Sequence, residues 1–277
     1  TLFRSMGLLF MASACNDGYE KEPVEHFTLD YVFSRVDSAG IQSRYFLNNI
    51  YLEHLYSGYN RIDGDFLDAA SDDAISIDNN SPEIYKLFMG RYSAVSRLRD
   101  MEWGAYYQGI RKANILINNI DVVPFNLTYV NALGETKPLN YTMKAEARFL
   151  RAYFYFELVK RYGGVPLVGD NVYVLGDDVQ LPRNTFAQCI DYIIGELDEI
   201  KDDLRSLPMS DATEFAHAPT KETCLAMKAR VLLYAASPLF NEKPLEAGNE
   251  LIGYASYDSQ RWNLAAQAAK DLIDQIG

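Results

Sequence analysis

The chain has 277 residues, 48% of them hydrophobic, which is enough to bury the core of one large domain or two small ones. Its 26 Lys and Arg against 38 Asp and Glu leave a formal net charge of −12. This negative charge argues against a nucleic-acid partner, because phosphate binding requires clustered positive charge.

The first fifteen residues have the layout of an export signal. Arg4 supplies a positive end, a short apolar run follows, and the small residues 12–14 precede Cys15. The small residues and Cys15 resemble the lipobox of bacterial lipoproteins, in which the cysteine is lipidated; an ordinary secretory signal with an incidental cysteine is the alternative. We expect residues 1–14 to be a signal peptide and residues 15–43 to be a tether and lead-in.

Apolar residues recur at three- and four-residue steps over most of the remaining chain, and this spacing predicts amphipathic helices that pack against one another. Thr185, Thr220 and Asp258 are the predicted N-caps of the last three helices, and Pro208 and Pro238 are predicted to end two of them. The predicted helices cover residues 44–56, 84–98, 103–120, 144–162, 186–207, 221 to about 237, and 259–276. Clear strand patterns are limited to a short candidate at 165–168 or 172–175.

The stretch 144–168 carries the strongest pattern in the chain. Its aromatic and aliphatic side chains fall on one wide helical face. Gly163 and Gly164 can adopt the left-handed conformation that ends a helix, and Pro166 prevents its restart. We therefore expect one long helix that ends at this glycine pair.

Two of the predicted helices resemble each other. The sequence ARFL at 147–150 is echoed by ARVL at 229–232, which is 82 residues later. Tetratricopeptide units have about 34 residues, so this step is near two such units with longer loops. The pattern indicates helical hairpins stacked in a loose array.

Residues that carry chemistry form no catalytic or metal-binding pattern. His26, His54 and His217 lie far apart and give no H-E-x-x-H motif. A calcium-binding loop starting at Asp63 fails, because its fifth position is Leu67. Nothing in the sequence pairs two carboxylates as a glycosidase requires. We predict no enzymatic activity, no cofactor and no metal site.

Two cysteines besides Cys15 lie within predicted helices. Cys189 and Cys224 would form a disulfide or remain as buried thiols, and buried thiols are favoured because both lie within strongly helical patterns. They give no C-x-x-C spacing, which makes a zinc or redox site improbable.

Several motifs follow one another in a fixed order along the chain. They are ASDDA at 70–74, the Trp, Tyr-Tyr, Ile and Ala-Asn positions of 103–114, AEARFLRAYFYFELVKRYGGVPLV at 145–168, LPR at 181–183, PTK at 219–221, AMKARVLLYAASPLF at 226–240 and the Trp and Ala-Ala of 262–266. With the lipobox cysteine, they resemble the SusD/RagB family of outer-membrane nutrient-binding lipoproteins of Bacteroidetes. The resemblance implies an all-α fold of stacked helical hairpins of the tetratricopeptide-like type.

The resemblance also implies domain boundaries. Residues 44–240 correspond to the SusD-like N-terminal helical domain, and residues 241–277 to the start of a C-terminal region. Family members are usually far longer, so this chain is expected to be truncated before the C-terminal half, which supplies part of the family's ligand site.

The function implied by the resemblance is that of a cell-surface lipoprotein without catalytic activity. It would be lipid-anchored in the outer membrane through Cys15, bind oligosaccharide or another nutrient, and deliver it to a SusC-like TonB-dependent transporter. A helical interaction scaffold without a ligand of its own is the alternative, and a glycosidase is less favoured.

The candidate ligand site follows the acidic turn, because that loop contributes to ligand binding in relatives. Aromatic rings, carboxylates and amides are the groups that bind sugars. Those available here are Asp73, Asn79, Asn80, Tyr85 and Tyr92. Each also has a structural interpretation: the two tyrosines, seven residues apart, would share one helix face, the asparagines suit a turn and Asp73 suits a helix cap. Trp103 and Trp262 are interpreted as core residues.

Overall fold

The structure is a computed structural model, and it describes residues 28–55, 66–76, 82–93, 95–96, 103–209, 211–243 and 245–277. Cys15, Asn79 and Asn80 lie outside the described residues, as does the whole predicted signal peptide. In the described part of the chain, no helix is long and apolar enough to cross a membrane.

Helices dominate the described residues. In chain order they are α1 Leu29–Val32, α2 Ile41–His54, α3 Pro82–Phe88, α4 Trp103–Asn119, α5 Leu139–Tyr162, α6 Phe186–Ile200, α7 Ala212–Phe215, α8 Lys221–Ala236 and α9 Gln260–Ile276. Shorter helical turns lie at Leu67–Ala70, Ile120–Val122 and Pro238–Glu242. Strands β1 (Thr128–Val130) and β2 (Thr136–Pro138) form an antiparallel hairpin between α4 and α5.

Successive long helices pack on one another. Helix α2 lies against α4, α4 against α5, α5 against α6, α6 against α8, and α8 against α9. This confirms the predicted all-α fold of stacked helical hairpins. Helix α5 is the centre of the stack, and its face toward α4 and α6 buries aliphatic, aromatic and alanine side chains, among them Leu150, Phe154 and Leu158. The small side chains of Ala147 and Ala152, also fully buried, allow the helix backbones to approach closely.

The predicted glycine end of α5 is confirmed. The helix ends at Tyr162, and Gly163 adopts φ +72°. A Cβ on Gly163 would lie 2.2 Å from the Leu251 carbonyl oxygen, and one on Gly164 would lie 2.0 Å from the Asn184 carbonyl oxygen. Glycine is therefore required here both by the backbone conformation and by the close approach of two other chain segments.

Among the long helices, α5 and α6 differ most from their predicted bounds. Helix α5 begins at Leu139, five residues before the predicted start at Lys144, because Leu139 and Met143 are buried and extend the apolar stripe. Helix α6 ends at Ile200, so the prediction that it continues to Pro208 is wrong. Leu204 is buried as the pattern suggested, but it reaches the core from a turn.

The prediction of a helix over 84–98 is also wrong. Helix α3 ends at Phe88, where Gly90 adopts φ +61° and the Arg91 amide donates to the Lys86 carbonyl oxygen in a left-handed helix end. Tyr85 lies on this helix, whereas Tyr92 follows it, so the two tyrosines do not share a helix face. Helix α9 begins one residue later than expected, although Asp258 Oδ1 accepts a hydrogen bond from the Gln260 amide.

The strand predicted at 165–168 or 172–175 is not formed. The backbone of this region is bonded mainly to side chains of neighbouring helices, which leaves no ladder partner. The strands lie instead at β1 and β2, where Tyr129 is buried and packs against α5.

Two predictions about individual side chains have opposite outcomes. Cys189 and Cys224 are buried free thiols, as expected, and burial raises the pKa of both. Trp262 is not a core residue, because 41% of its surface is exposed on α9, beside exposed Leu264. Trp103 is half-buried and packs on the core through one side only.

Candidate functional site

Of the sequence-predicted site residues, Asp73, Tyr85 and Tyr92 are described, and they lie in or next to a small unit formed by the Leu67–Ala70 turn and α3. This unit has its own hydrophobic cluster around Ala69 and Ile84. Asp73 is exposed in a turn, where its carboxylate accepts a hydrogen bond from Ser71 Oγ at 3.4 Å. It does not cap α3.

The two predicted tyrosines are accessible, but they are not assembled into one site. Tyr85 is 37% exposed and its hydroxyl donates to the Ser76 carbonyl oxygen at 3.0 Å, while Tyr92 is 49% exposed. Within the described residues, no hydrogen bond joins Asp73, Tyr85 and Tyr92 to one another. The structure thus gives three separate surface groups here.

An aromatic groove lies elsewhere, between the first turns of α4 and the segment 166–181. Its cavity has a volume of about 310 Å³. The lining residues are Trp103, Tyr107, Ile110, Arg111, Pro166, Val168, Asn171, Tyr173, Val179 and Leu181. Trp103, Tyr107 and Arg111 recur at four-residue steps, so α4 presents them on one face.

Aromatic packing fixes the floor of the groove. The Trp103 and Tyr107 rings lie 5.0 Å apart between centroids, and the Tyr162 ring meets Trp103 edge-on at 5.1 Å. The Tyr107 hydroxyl donates to the Pro166 carbonyl oxygen at 2.7 Å, and burial raises the pKa of this phenol far above its usual value. Tyr107 is therefore a fixed neutral donor, while Trp103 presents its remaining ring surface to the groove.

A stripe of four α4 side chains holds the backbone of the opposite wall. Besides Tyr107, Arg111 Nε donates to the Tyr173 carbonyl oxygen at 3.2 Å. Asn114 Nδ2 donates to the carbonyl oxygens of Gly169 and Asn171 at 2.8 and 2.9 Å. Asn118 Nδ2 donates to that of Asp170 at 2.9 Å. The stripe positions 107, 111, 114 and 118 follow the helical period, so one helix face binds five loop carbonyl groups.

Buried charges on α5 and α6 support this stripe from beneath. Arg151 is 2% exposed and donates to Asn114 Oδ1 at 2.7 Å, to Asp170 Oδ1 at 2.6 Å and to Glu196 Oε2 at 2.7 Å. Burial acts to raise the pKa of Glu196, but Arg148 and Arg151 outweigh it and hold that pKa below its usual value. The ionised pairs fix the Asn114 amide with its nitrogen toward the loop.

The segment is also attached near its two ends. Tyr155 Oη accepts from the Val168 amide at 3.0 Å, and burial raises the pKa of Tyr155 to about 12. Asn184 Oδ1 accepts from the Leu167 amide at 3.0 Å, and Arg183 Nε donates to the Gly164 carbonyl oxygen at 2.7 Å. Bonds to neighbouring residues thereby hold positions 164–173 of this strandless segment beside the helices, so this part of the groove wall is formed without a ligand.

The groove offers binding chemistry. Its lining residues supply aromatic faces for apolar C–H surfaces, amide and guanidinium donors, and an indole N–H with no acceptor among the described residues. The described residues that line it include no carboxylate, histidine or thiol to act as acid, base or nucleophile. The described residues also contain no cluster of three or more His, Cys, Asp or Glu suited to a metal ion.

Sequence reasoning did not identify Tyr107, Arg111, Asn171 and Tyr173 as site residues. The available signal was the stripe of polar side chains at helical spacing on α4, formed by Tyr107, Arg111, Asn114 and Asn118. Polar side chains on a packed helix face need hydrogen-bond partners. The segment 163–185 has few strand signals, so its backbone groups also need partners, and the two could have been matched.

The helical stack and its preformed groove define a helical binding protein. A family model described as "Starch-binding associating with outer membrane" matches residues 41–233, and the chain belongs to this SusD-like family. The family is a carbohydrate-binding family associated with the outer membrane. The chain is also 27% identical over 164 residues to a SusD-like protein of Formosa agariphila, which covers 59% of this chain and 29% of that protein.

Solved structures share the fold. A SusD-like protein of Bacteroides fragilis aligns with a TM-score of 0.63 at 23% identity, over 91% of this chain and 40% of the other. A second Bacteroides fragilis protein, described as a SusD-like carbohydrate binding protein, aligns with a TM-score of 0.59 at 22% identity. The alignment covers 86% of this chain and 40% of that protein. A laminarin binding SusD-like protein aligns with a TM-score of 0.51 at 21% identity, over 69% of this chain and 38% of that protein. The chain spans less than half the length of these relatives.

Proposed function

We propose that this protein is a glycan-binding lipoprotein of the cell surface that delivers oligosaccharide to a SusC-like TonB-dependent transporter in the outer membrane. Family membership and the relatives described as carbohydrate binding support this function. The observation that carries it is the preformed groove with Trp103, Tyr107 and Tyr173 on its walls. Aromatic faces beside fixed polar donors are the groups that a sugar ring requires.

Attachment and docking belong to the same proposal. Cys15 is proposed as the lipidated residue, with residues 1–14 as the signal peptide and 15–43 as the tether. Residues 44–240 are proposed as the helical domain whose broad stacked face meets the transporter, and 241–277 as the start of the C-terminal region. Because the proposed role is capture and delivery, no catalytic step is assigned to any residue.

Binding is tested by calorimetry of the purified full-length gene product against a panel of oligosaccharides. We expect at least one glycan to bind and Trp103→Ala with Tyr173→Ala to weaken it about tenfold or more. Tyr85→Ala with Tyr92→Ala tests the sequence-predicted surface groups in the same assay. If only the second pair weakens binding, the ligand site lies at the small unit rather than in the groove. A panel without any bound glycan contradicts the proposed function and favours a pure interaction scaffold.

Anchoring and delivery need separate tests. Cys15→Ser should release the protein from the outer-membrane fraction and abolish metabolic labelling with a fatty acid; retention of both would contradict the anchor. Co-purification of the transporter encoded beside the gene, retained after detergent extraction, tests the partner. If the transporter does not co-purify while the protein still binds a glycan, the delivery step is contradicted and the glycan-binding function stands.

A further inference from the structure

We propose that the groove is built for an acidic glycan, with the Arg111 guanidinium binding the carboxylate of a uronic acid unit whose ring lies against the groove's aromatic wall. This inference rests on the proposed function and adds the class of sugar. It is drawn from the charge and hydrogen bonding of Arg111, not from the relatives.

Among the described residues that line the groove, Arg111 is the single charged side chain. The others are aromatic, aliphatic, proline or asparagine. A neutral glycan requires no charged group, since amide and phenol groups can form hydrogen bonds with its hydroxyls. A cationic group beside aromatic rings, with no carboxylate among these described lining residues, favours an anionic ligand.

The hydrogen bonding of Arg111 leaves its outer edge available. Nε donates to the Tyr173 carbonyl oxygen at 3.2 Å, which fixes the plane of the guanidinium at the groove wall. Among the described residues, neither Nη1 nor Nη2 has an acceptor, and no carboxylate lies within ion-pair distance. Two parallel N–H groups in this fixed plane match the two oxygens of a carboxylate.

Several other cations near the groove already have partners, and Arg183 is occupied by the Gly164 and Tyr162 carbonyl groups. Lys112, the next residue on α4, pairs with Glu53. Arg148 and Arg151 pair with Glu196. In a chain of net charge −12, a groove arginine without a carboxylate partner among the described residues lies where an acidic ligand would supply the missing charge.

The acidic residues of the loop do not fill this role. Asp170 pairs with Arg151 at 2.6 Å, Asp177 Oδ2 accepts from the Val174 amide at 2.7 Å, and Asp178 Oδ1 accepts from Gln180 Nε2 at 3.0 Å. None of the three is among the residues that line the groove. Their negative charges act against an anionic ligand, so affinity for the acidic glycan should depend on close contact with Arg111.

The experiment compares acidic and neutral oligosaccharides on the full-length gene product. The acidic probes are oligogalacturonate, oligoalginate and a chondroitin fragment; the neutral probes are laminari-, malto- and xylo-oligosaccharides. We expect an acidic probe to bind most tightly, and more weakly after its carboxylates are methyl-esterified. Tight binding of neutral probes alone overturns this inference and leaves the proposed function standing, whereas binding of no probe contradicts both.

Three variants isolate the charge of Arg111 from its bond to the loop. Arg111→Gln should weaken the acidic probe about tenfold or more and leave the esterified probe nearly unchanged. Asn118→Ala also removes one bond to the loop backbone, but no charge, and should affect both probes equally. Arg230→Gln, on the exposed surface of α8, is the matched charge control and should have no effect. Equal loss for both probes with Arg111→Gln would show a purely structural role and overturn the proposal.

Discussion

Arg151 Nη1 donates a 2.7 Å hydrogen bond to Asn114 Oδ1, and both side chains are buried. This bond commits the amide oxygen to the arginine and leaves the amide nitrogen for the carbonyl groups of Gly169 and Asn171. A single pair on neighbouring helices thus connects the core of the stack to the wall of the groove.

Asn114→Ala should reduce the free energy of unfolding by about 1–3 kcal/mol, because it removes three hydrogen bonds of a buried side chain: the one that Asn114 accepts from Arg151 and the two that it donates to the Gly169 and Asn171 carbonyl groups. Urea unfolding measures this change. Asn118→Ala removes an exposed bond to the same loop and should cost less than about 1 kcal/mol. Equal costs for the two variants would contradict the structural role given to Asn114.

Gly164→Ala should destabilise the protein by about 1–3 kcal/mol or more, since its Cβ would lie 2.0 Å from the backbone oxygen of Asn184. Gly195→Ala is the control, because the space around a Cβ there is open and the residue lies inside α6. That change should stabilise by about 0.5–1 kcal/mol through helix propensity. Thermal unfolding of both variants gives the comparison, and a neutral Gly164→Ala would refute the close approach.

Glu146 should make stability depend on pH. Burial raises its pKa from 4.5 to about 7, although Arg205 at 3.4 Å acts to lower it; Tyr51 and Thr142 also donate to its oxygens, while Asp211 acts to raise its pKa. The folded state therefore holds a proton that the unfolded chain has lost between pH 4.5 and 7. The stabilising contribution is complete below pH 4.5 and is lost as the pH rises through about 7.

The test is Glu146→Gln, which cannot ionise. Relative to the wild type, its free energy of unfolding should rise by on the order of 1–3 kcal/mol between pH 5 and pH 8, as measured by urea unfolding at each pH. Glu214→Gln removes an exposed carboxylate and should follow the wild type. A pH-independent difference for Glu146→Gln would show that the buried carboxyl is not protonated.

The buried thiols should be unreactive in the folded protein. Burial raises the pKa of Cys189, and it raises that of Cys224 to about 12, so little thiolate is present at neutral pH. In a Cys15→Ser background, a thiol reagent should react slowly in buffer and titrate two thiols per chain in denaturant. A titre of zero would reveal a disulfide between the two cysteines, and rapid reaction in buffer would reveal exposure.

The helical stack could be predicted from the sequence because a helix that buries one face has apolar residues that recur every three or four positions. The α5 stripe and its glycine end are local properties, and they were predicted correctly. Helix ends that depend on tertiary contacts were predicted less well. The apolar spacing of Leu204 continued the α6 pattern, although that side chain reaches the core from a turn.

The groove could not be predicted because its wall has no periodicity. Its conformation comes from bonds between α4 side chains and carbonyl groups more than fifty residues away in sequence, such as Asn114 to Gly169. Side chains such as Arg111 and Asn171 line a groove only because the loop lies against α4 in the folded protein. Trp103 was interpreted as core because it matches a helix position of the family scaffold, and sequence spacing cannot show that part of its ring lines a groove.

All five carbonyl groups held by the α4 stripe belong to the main chain, so these five bonds do not depend on which side chains the loop carries. Apart from Gly169, which has φ +57°, and Asp170, which pairs with Arg151, residues of this loop can therefore be exchanged without losing its attachment to α4, and each exchange alters what the wall displays. We expect related proteins with this arrangement to differ in ligand preference through sequence changes in this one segment, while the helices beneath it stay unchanged.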